Sequence, residues 1–215
     1  DIPVFHDDQH GTAIVVLSAL INALKIVNKK IEDVRIVVSG VGAAGNAIIR
    51  LLLAQGARDI IGCGRDGALS GDDTEGMHPS RKALAEATNP RHVHGSLKDV
   101  LKGADVFIGV SSGNILDPSD VETMAEDAIV FALANPTPEV DPIGAGKYAA
   151  VVATGRSDYP NQINNVLAFP GLFRGLLDAK VKEITTEVLR VASVAIASVI
   201  SEDELSPSYI IPGAF

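Results

Sequence analysis

Arg35-Ile36-Val37-Val38-Ser39-Gly40-Val41-Gly42-Ala43-Ala44-Gly45 sets a short β-branched run against a Gly-x-Gly-x-x-Gly turn, and a helical stretch, Asn46–Gln55, follows. The bare glycine pattern is common, so its context carries the meaning: a strand before it, a helix after it, and a further strand about 15 residues on. In that setting Gly40 permits the tight turn, Gly42 lets backbone approach a pyrophosphate, and Gly45 lets helix pack against strand. The free N–H groups of Ala43 and Ala44, at the positive end of the helix dipole, then face the phosphates.

Outward from this turn the pattern repeats. Asp59–Cys63, Val106–Val110, Ile129–Ala134 and Val151–Ala153 are short, nearly continuous apolar runs. Helical patterns at Gly11–Lys29, Lys98–Lys102 and Pro118–Ala125 lie around and between them, and Val181–Ser201 reads as a second long helix before an irregular end, Pro207–Phe215. Apolar strands separated by helices belong to a parallel sheet covered on both faces. The expected fold is therefore α/β, a Rossmann-type, doubly wound, mostly parallel sheet with flanking helices. Residues 1–30 form a leading helix, 31–170 the sheet core and 171–215 a helical end.

The second strand ends Cys63-Gly64-Arg65-Asp66. An NAD site usually places an acid there to hold the ribose hydroxyls. Gly64 followed by Arg65 would instead spare a 2′-phosphate from repulsion and offer it a bidentate partner, which favours NADP over NAD. Asp66 would serve the ribose if the strand ran slightly longer, and Arg65 as a plain solvated turn residue is the competing reading.

The composition narrows the partners. In 215 residues, 18 Lys+Arg against 27 Asp+Glu give a net charge of −9, the wrong sign for nucleic acid or a polybasic membrane patch. A hydrophobic share of 47% with 21% charged residues is globular. The lone Cys63 excludes a disulfide framework and fits a reducing compartment, the cytoplasm. The apolar stretches Ala13–Val27 and Val188–Ile200 are interrupted by Asn22 and Lys25, and by Arg190, within the roughly 20 residues a membrane span needs. The opening Asp1-Ile2-Pro3 does not resemble a secretion signal.

Three segments carry candidate site chemistry. Asp7 and Asp8 precede the first helix, where adjacent carboxylates call for solvent or a cation such as Mg²⁺ or Mn²⁺, or else cap the helix. His6 and His10 stand four apart, a spacing compatible with zinc, but no third ligand accompanies them. Asn135, in Ala134-Asn135-Pro136-Thr137-Pro138, ends an apolar strand, and Gly155-Arg156-Ser157-Asp158 follows the next. Asn161, Gln162, Asn164 and Asn165 cluster amides able to donate to carboxylates. Each alone is also ordinary turn chemistry.

Together these segments resemble malic enzymes. Phe5-His6-Asp7-Asp8-Gln9-His10-Gly11-Thr12-Ala13 is similar to a signature of that family. So are Phe131–Glu139 and Ala153–Asn165, and the resemblance covers essentially the whole chain, most closely the short bacterial type. It implies NAD(P)- and metal-dependent oxidative decarboxylation of (S)-malate to pyruvate and CO₂. By motif, Asp8 resembles the metal ligand, and Asp7 its neighbour, a second candidate ligand that orients the catalytic lysine. Asn135 resembles the asparagine near nicotinamide and substrate, and Asn165, with Asn164, the amide that holds a malate carboxylate. The family's catalytic tyrosine and lysine, its substrate arginine and its Glu-Asp metal pair stand upstream of the first motif. The expectation is thus a cofactor-binding domain whose N-terminal catalytic domain precedes Asp1, so that the chain binds dinucleotide with little turnover. Tyr148, Tyr159, Tyr209 and Lys147 are not assigned the missing roles. The Gly11–Lys29 helix is expected to face that domain or a second copy in a homo-oligomer, a dimer. Two other readings compete: an amino-acid dehydrogenase of similar layout, which needs neither Asp7-Asp8 nor a metal, and a non-catalytic nucleotide-sensing module.

Overall fold

The structure is a computed structural model that describes residues 3–214. Asp1, Ile2 and Phe215, assigned above to the leading segment and the irregular end, lie outside the described residues. After a π-helical turn, Asp7–Gly11, the chain runs α1 (Thr12–Ile26), β1 (Arg35–Ser39), α2 (Ala43–Gln55), β2 (Asp59–Gly64), β3 (Gly67–Ala68) and α3 (Pro79–Ala87). It continues α4 (Leu97–Leu101), β4 (Val106–Gly109), α5 (Pro118–Val121), β5 (Ala128–Ala132), α6 (Pro142–Ala145) and β6 (Ala149–Thr154). A 3₁₀ turn at Asn165–Leu167, α7 (Phe169–Asp178) and α8 (Thr186–Ala197) complete it.

The six strands form one sheet in the order β3-β2-β1-β4-β5-β6. All pairs are parallel except the two-residue β3, which folds back antiparallel on β2 with Gly64 opposite Gly67. This is the doubly wound α/β fold the sequence predicts, and its topological switch point falls between β1 and β4. Alternation along β1 shows why its residues read as a continuous apolar run. Ile36 and Val38 point into one core with α1, α2 and α8, while Val37 points into the other with Val100, Leu101 and Val121. Both faces are covered, so the three central positions, Ile36 to Val38, are all apolar.

Four local expectations change. The helix drawn over Val181–Ser201 begins only at Thr186, because the Thr185 hydroxyl accepts the N–H of Val188 as an N-cap. α3 was not anticipated: its sequence is polar, and only Leu84 and Ala85 are buried, while α7 starts just ahead of the segment read as a helical end. The longer-strand alternative for Asp66 fails: β2 ends at Gly64, where the main reading puts it, and the chain turns back, so Asp66 sits at a hairpin tip.

The fourth change concerns α1. It does not wait for a partner chain: residues from Ile14 to Leu20 are at 0% exposure within this fold, packed against α2 and α8. Asn22 Nδ2 donates to the carbonyls of Ala197 (2.9 Å) and Ile210 (3.0 Å), tying the first helix to the last. With the preceding turn, α1 makes a continuous helix, Asp7–Ile26, of 20 residues, long and apolar enough by composition to cross a membrane despite Asn22 and Lys25. Burial in the fold's interior accounts for that hydropathy.

Candidate functional site

β1 delivers the chain to Gly40, whose φ of +98° is left-handed. A Cβ there would lie 2.5 Å from the Val110 carbonyl oxygen, so both backbone angle and space require glycine. Gly45 is tighter still: a Cβ would fall 1.7 Å from Gly40 O, which is how α2 packs directly on the turn. At Gly42 a Cβ would meet no protein atom within 4 Å. Gly42 is also the N-cap of α2, and no side chain caps that end. The 13-residue helix therefore presents uncapped N–H groups beyond the one glycine of the turn whose backbone stands open, the cradle a pyrophosphate requires. Beside it lies a cleft of about 570 Å³ whose lining includes Gln9, His10, Gly42, Asn46 and Arg50.

The end of β2 carries two guanidinium groups where one was expected. Arg65 is exposed on the hairpin. Arg81, from the first turn of α3, lies against Gly64: a Cβ on Gly64 would be 2.7 Å from Arg81 Nη2. Arg81 pairs loosely with Asp66 (3.7 Å), and its buried Nε has no hydrogen-bond partner. A cation with an unspent donor at the strand end suits an anion near the ribose. Its signal in the sequence was His78-Pro79-Ser80, a cap followed by Pro at the first helical position.

Asp7 and Asp8 lie on the π-helical turn, Asp7 half-buried and Asp8 exposed. No side chain caps this turn, so the capping alternative fails. Asp7 is instead drawn to Asn165. Asn165 Nδ2 donates to Asp7 O (3.3 Å) and Asp7 Oδ2 (3.4 Å), while Thr12 Oγ1 donates to Asn165 Oδ1 (3.1 Å). Asp7 Oδ1 is buried without a partner. The backbone N–H of His6 donates to His10 Nδ1 (3.0 Å), so that nitrogen is engaged within its own turn, and burial lowers the His10 pKa. Among the described residues no group of three or more His, Cys, Asp or Glu could hold a metal ion. The acidic pair is therefore an incomplete donor set.

The remaining asparagines divide by role. Asn135 is exposed at the carboxyl end of β5, across a cis bond from Pro136, with its Nδ2 close to Gly155. Asn164 spends its Oδ1 on the N–H of Val166 (3.0 Å), capping the 3₁₀ turn. Asn161 is buried and structural: its Nδ2 donates to the carbonyls of Val152 (3.0 Å) and Pro207 (2.8 Å), and its Oδ1 accepts from Ile210 N (3.0 Å). Arg156 reaches from the end of β6 to the Pro136 carbonyl (3.0 Å) and pairs with Asp158 (2.7 Å).

Known proteins agree with this geometry. A family profile described as malic enzyme, NAD binding domain, matches residues 9–214. The chain is 59% identical over 215 residues to the NAD-dependent malic enzyme of Geobacillus stearothermophilus, covering all of this chain and 45% of that protein. It is 46% identical over 208 residues to the NADP-dependent malic enzyme of Haemophilus influenzae, covering 95% of this chain and 27% of that one. The crystal structure of an NAD-dependent malic enzyme from Thermotoga maritima superimposes with a TM-score of 0.93 at 48% identity, over 100% of this chain and 56% of the other. The chain thus spans less than half the length of either curated relative.

Proposed function

This chain belongs to the malic enzyme family as its NAD-binding domain, and from that premise we propose that it serves the NAD(P)- and metal-dependent oxidative decarboxylation of (S)-malate to pyruvate and CO₂. The observation that carries the reading is the open Gly42 position before the uncapped N-terminus of α2, on a chain that matches the family over nearly its whole length. The amino-acid dehydrogenase reading has no such support.

In this proposal the α2 N–H groups hold the pyrophosphate, and Asn135, at the end of β5, orients the nicotinamide against substrate. Asp8 would offer one oxygen to Mg²⁺ or Mn²⁺, and the other carboxylate ligands would come from the part of the protein that the relatives carry beyond this match. When bound, the ion supplies Lewis acidity at the substrate's C2 oxygen. Asn165, held between Thr12 and Asp7, presents an amide to a malate carboxylate. The buried, unpartnered Asp7 Oδ1 supports an orienting role towards a cationic group brought in beside it. Arg81 and Arg65, with no acid at position 64, support NADP over NAD.

The test is twofold. The 215-residue chain is expected to bind NADH or NADPH by calorimetry while showing no malate-dependent NAD(P) reduction. The intact protein is expected to reduce NAD(P) with malate and Mn²⁺ and to lose that activity in EDTA. EDTA-insensitive turnover would refute metal dependence; dinucleotide binding with no turnover in the intact protein would favour a sensing module.

A further inference from the structure

Glu139 is at 0% exposure, yet no cation pairs with it among the described residues. Its carboxylate lies where Gly109 has no side chain: a Cβ on Gly109 would be 2.3 Å from Glu139 Cδ. There it accepts hydrogen bonds from two different strand ends. Oε1 takes the backbone N–H of Ser111 (2.9 Å) and the Ser111 hydroxyl (3.3 Å), just beyond β4. Oε2 takes the N–H of Ala134 (3.0 Å), just beyond β5 and one residue before Asn135. Ser111 Oγ in turn lies 3.0 Å from Ser39 Oγ at the end of β1, so Ser39 donates to it. One buried carboxylate thereby joins the carboxyl ends of β1, β4 and β5 at the switch point.

We propose that Glu139 is a positioning residue for the nicotinamide half of the dinucleotide site, acting through Ser111 and Ala134 rather than by touching ligand; the proposal rests on the dinucleotide reading above. Burying an unpaired carboxylate is unfavourable, and apolar packing of the same volume would serve stability as well or better. What apolar packing could not supply is two acceptors aimed at two separate N–H groups. The anchored loops lie on the β4–β5 side, which receives the second mononucleotide of a doubly wound sheet, whereas the glycine turn and β2 serve the first.

Glu139→Gln keeps size and shape but has one acceptor, so its NH₂ must oppose either the Ser111 or the Ala134 N–H. Calorimetric titration of the full chain with NADH and with ADP separates the two halves of the site. Glu139→Gln is expected to weaken NADH by about tenfold or more while ADP stays within about twofold. Ser111→Ala, which keeps the N–H and loses only the hydroxyl, is expected to weaken NADH about threefold with ADP again unchanged. Parallel losses on both ligands, or a Ser111→Ala chain indistinguishable from wild type, would overturn the positioning role and leave the dinucleotide reading standing. Wild-type chain that bound neither ligand would overturn the dinucleotide reading itself, and the positioning role with it.

Discussion

Two parts of the candidate site are built in opposite ways. Around the glycine turn the working groups are backbone N–H donors and absent side chains, all supplied by one continuous segment, β1 through α2. Around Asp7 and Asn165 the working groups are side chains, drawn from positions 158 residues apart and left with an orphaned buried oxygen. A site made of backbone is complete as soon as its own strand and helix pack. A site made of side chains depends on every element that carries one, and here the donor set stays incomplete.

That contrast breaks most sharply at Gly45. Gly45→Ala forces a Cβ 1.7 Å from Gly40 O and should destabilise the chain by about 3 kcal/mol in urea unfolding while abolishing NADH binding. Asp8→Asn tests the other region. NADH affinity of the chain should hold within about twofold, while malate turnover by the intact protein falls more than about 100-fold. A matching loss of NADH affinity would mean that the two regions are not separable. Gly42→Ala should leave stability within about 0.5 kcal/mol, since no protein atom stands within 4 Å of the added methyl. Its NADH affinity should nonetheless fall roughly tenfold to a hundredfold, the scale of a lost charge-assisted hydrogen bond. Arg81→Ser should weaken NADPH about tenfold and NADH hardly at all, with a smaller selective loss for the exposed Arg65→Ser. Equal effects on both cofactors would refute the NADP preference.

The smallest expected effect is on pH dependence. Burial raises the Glu139 pKa above its ordinary value of 4.5, against the backbone donors that lower it. The folded chain therefore binds this proton more tightly than the unfolded chain. The stability it contributes is fully present below about 4.5 and lost as pH rises through the folded value. The unfolding free energy of wild type relative to Glu139→Gln should decline over that window by less than about 1.4 kcal/mol per pH unit. A difference that grows with pH would contradict the sign.

Legibility in the sequence followed the same division. The five parallel strands and the turn at Gly40–Gly45 could be read because period and glycine spacing are local properties. The end of β2 at Gly64 was placed correctly for the same reason. Arg81 was missed because Pro79–Ala87 is polar, and its closeness to Gly64 exists only once α3 lies across the strand end. Glu139 was quoted within a motif but given no role, since its partners are backbone groups that only the sheet brings together. Asn161 and Asn165, four residues apart in one amide-rich run, proved to be a tail fastener and a site candidate, a distinction that no composition encodes.

The burial of α1 against α8 has a consequence in time. The sheet and most of its helices must be synthesised between these two elements, which at roughly 5–20 residues per second takes on the order of ten seconds. During that interval one of the most apolar helices of the chain lacks the part of its cover that α8 supplies, and Asn22 lacks the carbonyls of Ala197 and Ile210. The nascent chain thus carries an incompletely covered apolar helix until α8 clears the ribosome and closes the fold.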